Sequence, residues 1–317
     1  MKVLVTGASG FVGGMLMSAL KLQGVNIVAT SRTPIESVTE AFVMVPDGLA
    51  PNAWNRALQA CDVVIHLAGR AHILKELAED PEYEFQLSNV GLTKNLVEEA
   101  VRQGVKRFVF VSSIGVHGNQ TQNGDKLTEF SLLKPHNSYT QSKLNAELVL
   151  REIVEQSTME LVIIRPPLVY GAGVKANFKN MMYTVKRGLP LPLGAIKNKR
   201  SFVYVGNLVS LILKCIDHPA AANQTFLVSD GHDLSTTELL RECAVALRVK
   251  SRLLPIPQKL VEKCAVLLGK RALAERLCGS LQVDINKARE LLGWEPPFSV
   301  SDGLMATALG MSKLESK

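Results

Sequence analysis

The chain has 317 residues, 47% of them hydrophobic, which is enough to bury a large core as one domain or as a large and a small one. A formal net charge of +7 accompanies only 5% aromatic residues and no basic stripe, so nucleic-acid binding is not expected. The longest apolar runs are short and broken by charged residues, which argues against membrane insertion.

The five cysteines are scattered along the chain and never stand at metal-ligand spacing. We therefore expect reduced thiols, with no disulfide and no zinc site. A strand pattern begins at Lys2 without a charged leader or an apolar signal core. A soluble cytoplasmic protein is expected on these grounds.

In the first half of the chain, short β-rich segments alternate with longer helical ones. The predicted strands are Val3–Thr6, Asn26–Thr30, Val63–Leu67, Arg107–Val111 and Leu161–Arg165. The predicted helices are Phe11–Leu22, Pro81–Gln103 and Ser138–Gln156. This alternation is typical of an α/β fold of the Rossmann type, a doubly wound parallel sheet with helices on both faces. Loops rich in Pro and Gly then indicate a smaller α/β lobe over residues 166–317, which exchanges some strand and helix with the domain 1–165.

A glycine-rich turn stands between the first strand and the first helix. Glycines there permit a sharp turn and a close approach of the backbone to a pyrophosphate, at which the helix amides point. The domain 1–165 is therefore predicted to bind a nicotinamide dinucleotide. The predicted contacts in this turn are Gly7, Gly10, Phe11, Val12 and Gly13.

The end of the second strand, VATSRTP, bears on the choice between NAD and NADP. An acidic residue there usually holds the ribose of NAD, whereas Arg accommodates the 2′-phosphate of NADP. Ser31 and Arg32 therefore favour NADP. The alternative is that Arg32 is a solvated loop residue and that NAD is held by other contacts. Asp62, which opens the third predicted strand, is a further candidate for the adenine side.

Tyr139 and Lys143 lie one helical turn apart, so their side chains face the same way. A nearby ammonium favours the phenolate of a tyrosine, which makes it a better base. Ser113 follows the strand Arg107–Val111, where the carboxyl edge of a parallel sheet places it beside the cofactor. We predict that these three residues catalyse the interconversion of an alcohol and a ketone.

Taken together, these elements resemble the extended branch of the short-chain dehydrogenase/reductase superfamily, and within it the nucleotide-sugar epimerase/dehydratase family. The resemblance covers nearly the whole chain. It also rests on DVVIHLAG at 62–69, NVGLTKNLVEEA at 89–100, RPPLVYG at 165–171, RSFVYVGNL at 200–208 and VDINKARELLGWEPPFSVSDGL at 283–304.

The resemblance implies a role for each matching residue. Ser113 would bind the substrate, Tyr139 would exchange the proton and Lys143 would tune Tyr139. Asn89 would brace the sheet around the site. The other implied cofactor contacts are Ala68, Gly69, Pro166 and Val169, and the implied nucleotide-diphosphate contacts are Asn177, Arg200, Arg276 and Asp284.

The chain also departs from the family pattern. Ser113-Ile114-Gly115 replaces the Thr-Asp-Glu of the family's dehydratases, which disfavours the elimination of water. His117 stands where the family commonly has Tyr, and a packed histidine is expected there. Arg70 and His72 either reach the diphosphate or belong to a solvated loop.

The resemblance thus implies an NAD(P)-dependent 4-epimerase of a UDP-hexose that passes through a 4-ketosugar. The alternative is an NADPH-dependent UDP-4-ketosugar reductase of surface-polysaccharide synthesis. Remoter alternatives are a non-catalytic dinucleotide-binding protein and a reductase of small hydrophobic ketones. The resemblance further implies a homodimer formed through the helices near 81–103 and 138–156.

Overall fold

The computed structural model describes residues 1–32, 41–71, 79–122, 124–174 and 176–315. Seven parallel strands form the main sheet in the order β3-β2-β1-β4-β5-β6-β9. They are β1 (Lys2–Thr6), β2 (Asn26–Ser31), β3 (Ala41–Met44), β4 (Val63–His66), β5 (Arg107–Val111), β6 (Glu160–Arg165) and β9 (Thr225–Leu227). The predicted Rossmann-type doubly wound sheet is confirmed.

A second, two-stranded parallel sheet joins β7 (Leu168–Tyr170) to β8 (Phe202–Tyr204). The helices that flank the main sheet in the first half of the chain are α1 (Phe11–Leu22), α2 (Asn55–Leu58), α3 (Pro81–Phe85), α4 (Leu92–Arg102) and α5 (Ser138–Glu155). Those of the second half are α6 (Ala176–Lys186), α7 (Val205–Asp217), α8 (Thr236–Ala246), α9 (Gln258–Leu267), α10 (Arg271–Cys278), α11 (Asn286–Leu292) and α12 (Val300–Glu315).

The long helix predicted over 81–103 is divided into three parts. Its N-terminal part, α3, is capped by Asp80, whose carboxylate accepts from the amide of Tyr83. A π-helical segment, Gln86–Gly91, then joins α3 to α4. Such widened turns frequently occur at functional sites. The segment carries Asn89 and turns its side chain into the interior.

Two apolar layers sandwich the main sheet. On one face, α1 and α7 pack on side chains such as Val5 and Val109. On the other face, α4 and α5 cover Leu4 and Phe108. Alternate residues of each strand point to opposite layers, as the pleat requires. Side chains at the ends of the strands that point to the α4 and α5 face therefore lie close to these two helices.

The second half of the chain returns to the main sheet. Strand β9 pairs with β6, with Ile164 opposite Phe226. Leu208 and Ile212 of α7 join the core layer that contains Val5. The return agrees with the expected exchange between residues 166–317 and the first domain, and the boundary at 165 stays a prediction.

Candidate functional site

The glycine turn between β1 and α1 leaves no room for side chains. Gly7 has φ +69°, and a Cβ on it would stand 2.8 Å from the backbone nitrogen of Ala68. A Cβ on Gly13 would stand 2.2 Å from the carbonyl oxygen of Gly7. Gly10 precedes α1 without a side chain to cap it, and the first turn of α1 holds no acidic residue. The positive end of α1 is thus open to an anion, which fits the pyrophosphate of a dinucleotide.

The carboxyl edge of the sheet gathers the predicted catalytic residues. Thr6 pairs with His66, and Val111 pairs with Ile164, so the residues that follow these strands meet at one edge. Ser113 lies within hydrogen-bonding reach of the hydroxyl of Tyr139, and this contact lowers the pKa of Tyr139. The hydroxyl oxygen of Ser113 also accepts from the amide of Gly115 at 3.1 Å, which fixes its position.

Burial shifts the pKa values of the two helix residues in opposite directions. It raises the pKa of Tyr139 to about 12, against the hydrogen bond from Ser113, which lowers it. Burial also lowers the pKa of Lys143 to about 8, against the carboxylate of Glu147, which raises it. Both shifts come from the loss of water around a charge. With this pKa, Tyr139 is protonated at neutral pH and can donate a proton. Its phenolate would form only if a further positive charge lay nearby to stabilise it.

Lys143 lies beneath the loop that follows β4. Its side chain is buried, and its Nζ lies 4.3 Å from the ring centre of Phe110. A Cβ on Gly69 would approach this Nζ to 3.8 Å. The loop residue Gly69 and the ammonium are therefore neighbours, so a cofactor that touches Gly69 also meets the charge of Lys143.

Asn89 connects this loop to α5. Its Oδ1 accepts from the amide of Arg70 at 2.7 Å, and its Nδ2 donates to the carbonyl of Arg70 at 3.1 Å. The same Nδ2 donates to the hydroxyl of Ser142 at 2.9 Å. The hydroxyl of Ser142 in turn donates to the carbonyl of Tyr139. The amide of Asn89 thus braces the edge around the site.

A buried chain of hydrogen bonds that the sequence did not reveal links the glycine turn to Asn89. His66 is fully buried, with Nδ1 2.7 Å from the hydroxyl of Thr6 and Nε2 2.9 Å from that of Thr93. The hydroxyl of Thr93 donates to the carbonyl of Asn89, and that of Thr6 accepts from the amide of Ala68.

The direction of every bond in this chain is fixed. A carbonyl only accepts, so Thr93 donates to Asn89 and accepts from Nε2–H of His66. In the neutral ring that burial favours, Nδ1 of His66 then accepts from the hydroxyl of Thr6. Burial, with the nearby charge of Lys143, lowers the pKa of His66 to about 3. We call these three side chains, Thr6, His66 and Thr93, the histidine relay.

Ser31 and Arg32, which the sequence analysis linked to the choice of cofactor, lie at the end of β2, whereas Asp62 lies at the other edge of the sheet. Ser31 ends β2 at the carboxyl edge, with its hydroxyl 3.4 Å from that of Ser9, and Arg32 follows it on the surface. Asp62 precedes β4 and lies at the opposite, amino edge, where it pairs with Lys106 at 2.7 Å. The prediction of Asp62 on the adenine side is therefore wrong, since a strand's first residue and its last lie at opposite edges.

Asp47 is an acidic residue that lies at the carboxyl edge of the sheet. It follows β3, whose Met44 pairs with Ser31, and its Oδ1 accepts from the amide of Leu49 at 2.9 Å. The adenosine half of a dinucleotide lies on the β2 and β3 side of a doubly wound sheet. Sequence reasoning missed Asp47 because β3 was not predicted.

On the substrate side, two predicted arginines lie close together. Arg200 donates from Nη1 to the carbonyl of Gly279 at 2.9 Å. Burial lowers the pKa of Arg200, and the nearby guanidinium of Arg276 lowers it further. Two neighbouring guanidinium groups are mutually repulsive, and a diphosphate would relieve that repulsion. Burial lowers the pKa of His136, and the charge of Arg276 also lowers it.

Other predicted contacts are dispersed around the edge. The carbonyl of Pro166 accepts from the amide of Ile114 at 2.9 Å, so the two loops lie side by side. Val169 lies in β7 opposite Val203. Phe11 lies under the turn after β7, since a Cβ on Gly171 would stand 3.4 Å from its ring. Each of these positions borders the carboxyl edge.

Two predicted nucleotide contacts lie on the exterior of the second half. Asn177 is exposed near the start of α6. Asp284 accepts from the amide of Asn286 through Oδ1 at 2.7 Å, so its carboxylate supports the start of α11. No contact joins either residue to Arg200 in the part of the chain that the structure describes.

His117 and Arg70 are engaged within the protein. Nε2 of His117 accepts from Arg165 at 2.9 Å, and its Nδ1 donates to the carbonyl of Ser131 at 3.0 Å. Burial lowers the pKa of His117, as does the charge of Arg165. The packed histidine expected from the sequence is thus observed. The guanidinium of Arg70 lies 3.6 Å from the carboxylate of Glu84, and His72 falls outside the described residues.

Two kinds of feature are absent from the described ranges. No cluster of three or more His, Cys, Asp or Glu side chains that could hold a metal ion occurs among these residues. No helix in the same ranges has the length and apolar character needed to cross a bilayer.

The fold and the site define an extended short-chain dehydrogenase/reductase, in which a glycine turn and a Ser-Tyr-Lys set share one sheet edge. The chain belongs to the NAD dependent epimerase/dehydratase family, whose profile matches residues 3–229. The resemblance predicted from the sequence is thereby confirmed, and the chain is an enzyme of this family.

Curated relatives and solved structures agree with this assignment. The chain is 43% identical over 308 residues to the UDP-glucose 4-epimerase of Vibrio cholerae, covering 96% of this chain and 94% of the relative. It is 29% identical to the N-acetyl-alpha-D-glucosaminyl-diphospho-ditrans,octacis-undecaprenol 4-epimerase of Escherichia coli O157:H7, covering 96% and 93%. The UDP-glucose 4-epimerase of Thermotoga maritima, solved with UDP-glucose, shares the fold with a TM-score of 0.80 at 22% identity, covering 99% and 100%.

Proposed function

We propose that this chain is an NAD(P)-dependent 4-epimerase of a nucleotide-linked hexose, with a UDP-sugar as substrate and a 4-ketosugar as transient intermediate. The observation that carries the proposal is the contact of Ser113 with Tyr139, one helical turn from the buried Lys143, at the edge that holds the glycine turn. A relative 43% identical over nearly its whole length carries the name UDP-glucose 4-epimerase, which supports this choice.

The side chains of the site divide the chemistry among them. When bound, the dinucleotide would accept a hydride from sugar C4 and return it to the opposite face. Tyr139 exchanges the proton of the C4 oxygen, and Ser113 donates a hydrogen bond to that oxygen. Lys143 places a positive charge below the site that favours the phenolate of Tyr139.

The residues that would hold the dinucleotide are those around the carboxyl edge. The pyrophosphate fits the start of α1, where Gly7 and Gly13 have no space for a Cβ. Lys143 would hold the nicotinamide ribose beside Gly69. Asp47 would approach the adenosine half at the end of β3.

The nucleotide diphosphate of the substrate would lie on the arginines of the second half. Arg200 and Arg276 are close enough for one charge to lower the pKa of the other, and no carboxylate pairs with either within 4 Å among the described residues. A diphosphate would supply the missing negative charge through charge-assisted hydrogen bonds. Asn177 and Asp284 are secondary candidates at this end.

A second candidate function is the single reduction of a UDP-4-ketosugar by NADPH. The observation that favours it is Arg32, exposed directly after β2 beside the hydroxyl of Ser31, where NAD-binding proteins usually have an acid. The same Ser, Tyr and Lys residues serve either reaction. The Ser113-Ile114-Gly115 segment lacks an acid and base for dehydration, so neither candidate includes loss of water.

The experiment that separates the two candidates begins with the purified protein. Denaturation, followed by chromatography and mass spectrometry, identifies which dinucleotide is released and in what amount per chain. Retained NAD, with conversion of UDP-glucose to UDP-galactose in the absence of added cofactor, supports the epimerase. An empty protein that consumes NADPH with a UDP-4-ketosugar supports the reductase.

A Tyr139→Phe variant tests the role of the hydroxyl in either reaction. Loss of the proton donor should lower kcat by about 100-fold or more, because positioned proton transfer contributes on this scale. Tyr183→Phe, at a partly buried tyrosine of α6, is the matched control and should keep full activity. Unchanged turnover of the Tyr139→Phe variant would exclude the catalytic role.

We further propose a cytoplasmic homodimer, in which α3, α4 and α5 meet their counterparts. All five cysteines of the chain are free, which suits a reducing compartment. Light scattering after size exclusion measures the assembly, and a monomer at micromolar concentration would contradict it.

A further inference from the structure

The helical hairpin of α9 and α10, residues 258–278, exposes an unusual amount of apolar surface. Helix α9 has no fully buried side chain. Leu267 is 86% exposed and Leu268 is 71% exposed. Leu260, Val266 and Leu273 are each about half exposed. A contiguous apolar patch of this kind commonly marks an interaction site on a folded protein.

The exposed side chains of α9 follow one face of the helix. Leu260, Cys264 and Leu267 are spaced by one helical turn and are all exposed. Val261 lies on the adjacent face and packs on the core. Leu268 and Leu273 continue the exposed stripe around the tip into α10. The hairpin therefore presents apolar residues outward along one edge.

Basic residues border this edge. Residues 258–278 contain five basic and two acidic side chains, a net charge of +3. The basic ones are Lys259, Lys263, Lys270, Arg271 and Arg276. Only Arg271 has an acidic partner within 4 Å among the described residues, namely Glu275 at 3.1 Å. The three lysines are thus available to a negatively charged surface.

The same hairpin carries part of the diphosphate site described above. Arg276 lies in the last turn of α10, and Arg200 donates to the carbonyl of Gly279, the next residue after that helix. The rise of a helix places Arg276 about 7.5 Å along the axis of α10 from Arg271, the first residue after the tip. The polar headgroup layer on each side of a bilayer is about 5–8 Å thick.

We propose that the hairpin of α9 and α10 docks on a membrane surface that carries anionic headgroups, with Leu267 and Leu268 at the headgroup boundary. Exposed leucines flanked by lysines are typical of segments that lie on membranes. Helices of ten and eight residues are too short to cross a bilayer, so the hairpin rests on its surface.

Docking would bring the diphosphate site to the level of the headgroups. The enzyme would then take its diphosphate-linked sugar at the membrane surface. This consequence rests on the proposed function, because it assumes that Arg200 and Arg276 bind the diphosphate. The docking itself rests only on the exposed residues and the charge of the hairpin.

Sedimentation with vesicles tests the docking on the full chain. Wild-type protein should bind vesicles of equal parts phosphatidylcholine and phosphatidylglycerol, and binding to phosphatidylcholine alone should be much weaker. A Leu267→Ser, Leu268→Ser double variant should bind the mixed vesicles at least about tenfold more weakly. A Leu22→Ser, Leu309→Ser variant, which replaces two exposed leucines elsewhere, should bind like the wild type.

Companion measurements distinguish loss of docking from loss of folding and show the part played by charge. Thermal unfolding of both double variants should match the wild type, since the substituted side chains are exposed. Lys263→Gln with Lys270→Gln should weaken binding to the mixed vesicles, as should added salt. Absence of wild-type binding, or equal binding by the Leu267→Ser, Leu268→Ser variant, would overturn the proposal.

The Leu267→Ser, Leu268→Ser variant also tests whether a second copy of the chain covers the patch and whether docking is separate from the proposed activity. If the leucine variant changes the molar mass in light scattering and not the vesicle binding, a second copy covers the patch and the proposal is wrong. Conversion of soluble UDP-glucose without vesicles should be unchanged in that variant. A wild type that binds vesicles but converts no UDP-sugar would refute the proposed function and leave the docking intact.

Discussion

The histidine relay makes the stability of this protein depend on pH through a single buried side chain. His66 is fully buried and neutral, and its pKa is lowered from 6.5 to about 3. The unfolded chain binds a proton at His66 below pH 6.5, whereas the folded chain does not bind one until about pH 3. The contribution of His66 to stability is therefore complete above pH 6.5 and is lost as the pH falls towards 3.

The size of the effect follows from this difference in proton binding. Each pH unit below 6.5 costs about 1.4 kcal/mol, so acidification from pH 7 to pH 5 should remove about 2 kcal/mol through His66. Urea unfolding at the two pH values measures the loss. A His66→Gln variant keeps a donor for Thr93 and cannot titrate, so it should lose about 2 kcal/mol less than the wild type over the same interval.

Matched variants isolate this effect from the carboxylates, which titrate in the same range. His232→Gln replaces an exposed histidine and should keep the wild-type pH dependence. At pH 7 the His66→Gln variant should itself be less stable by about 1–3 kcal/mol, because Thr6 loses its acceptor. Equal pH dependence of His66→Gln and the wild type would refute the neutral relay.

Three further predictions concern the site. Gly13→Ala should abolish dinucleotide binding, because its Cβ would stand 2.2 Å from the Gly7 carbonyl. The control Gly14→Ala, whose Cβ would have no atom within 4 Å, should bind normally. Equal binding of the dinucleotide to both variants in a titration would contradict the tight turn. Arg200→Ala should weaken UDP binding about tenfold or more in calorimetry, and an unchanged affinity would remove Arg200 from the diphosphate site. Glu147→Gln should move the alkaline fall of the pH–rate profile to lower pH, because the carboxylate raises the pKa of Lys143; an unmoved fall would show that Lys143 does not set it.

The sequence predicts the elements of this fold wherever a local pattern marks them. Helix α1 has the predicted bounds Phe11–Leu22, since the glycine turn begins it and Gly24 follows its end. Strands β3 and β9 escaped prediction for different reasons. Strand β3, Ala41–Met44, is short and only half buried, while β9 has three residues and joins a partner distant in the chain.

The residues of the site also divide into those that a local sequence pattern marks and those that it does not. Tyr139 and Lys143 are recognisable because their spacing is local to one helix. His66 is ordinary in sequence, and its importance arises from two threonines brought to it by separate elements. Asp62 was misplaced because it stands directly before its strand, at the amino edge of the sheet, whereas the cofactor edge is formed by the last residues of the strands.

Helix α5 explains how this site combines a buried lysine with a buried carboxylate. Asn137 and Thr140 form a capping box that fixes where the helix begins. Tyr139, Lys143 and Glu147 then follow at intervals of one turn and lie along one face.

The carboxylate of Glu147 acts on two cationic side chains, Arg165 and Lys143. It forms a buried ion pair with Arg165, and its negative charge also raises the pKa of Lys143. Arg165 is itself held by the neutral His117, which adds no further charge. Burial lowers the pKa of Lys143 to about 8 against the opposing field of Glu147, so Lys143 remains protonated at neutral pH and lies close to the point of losing its proton.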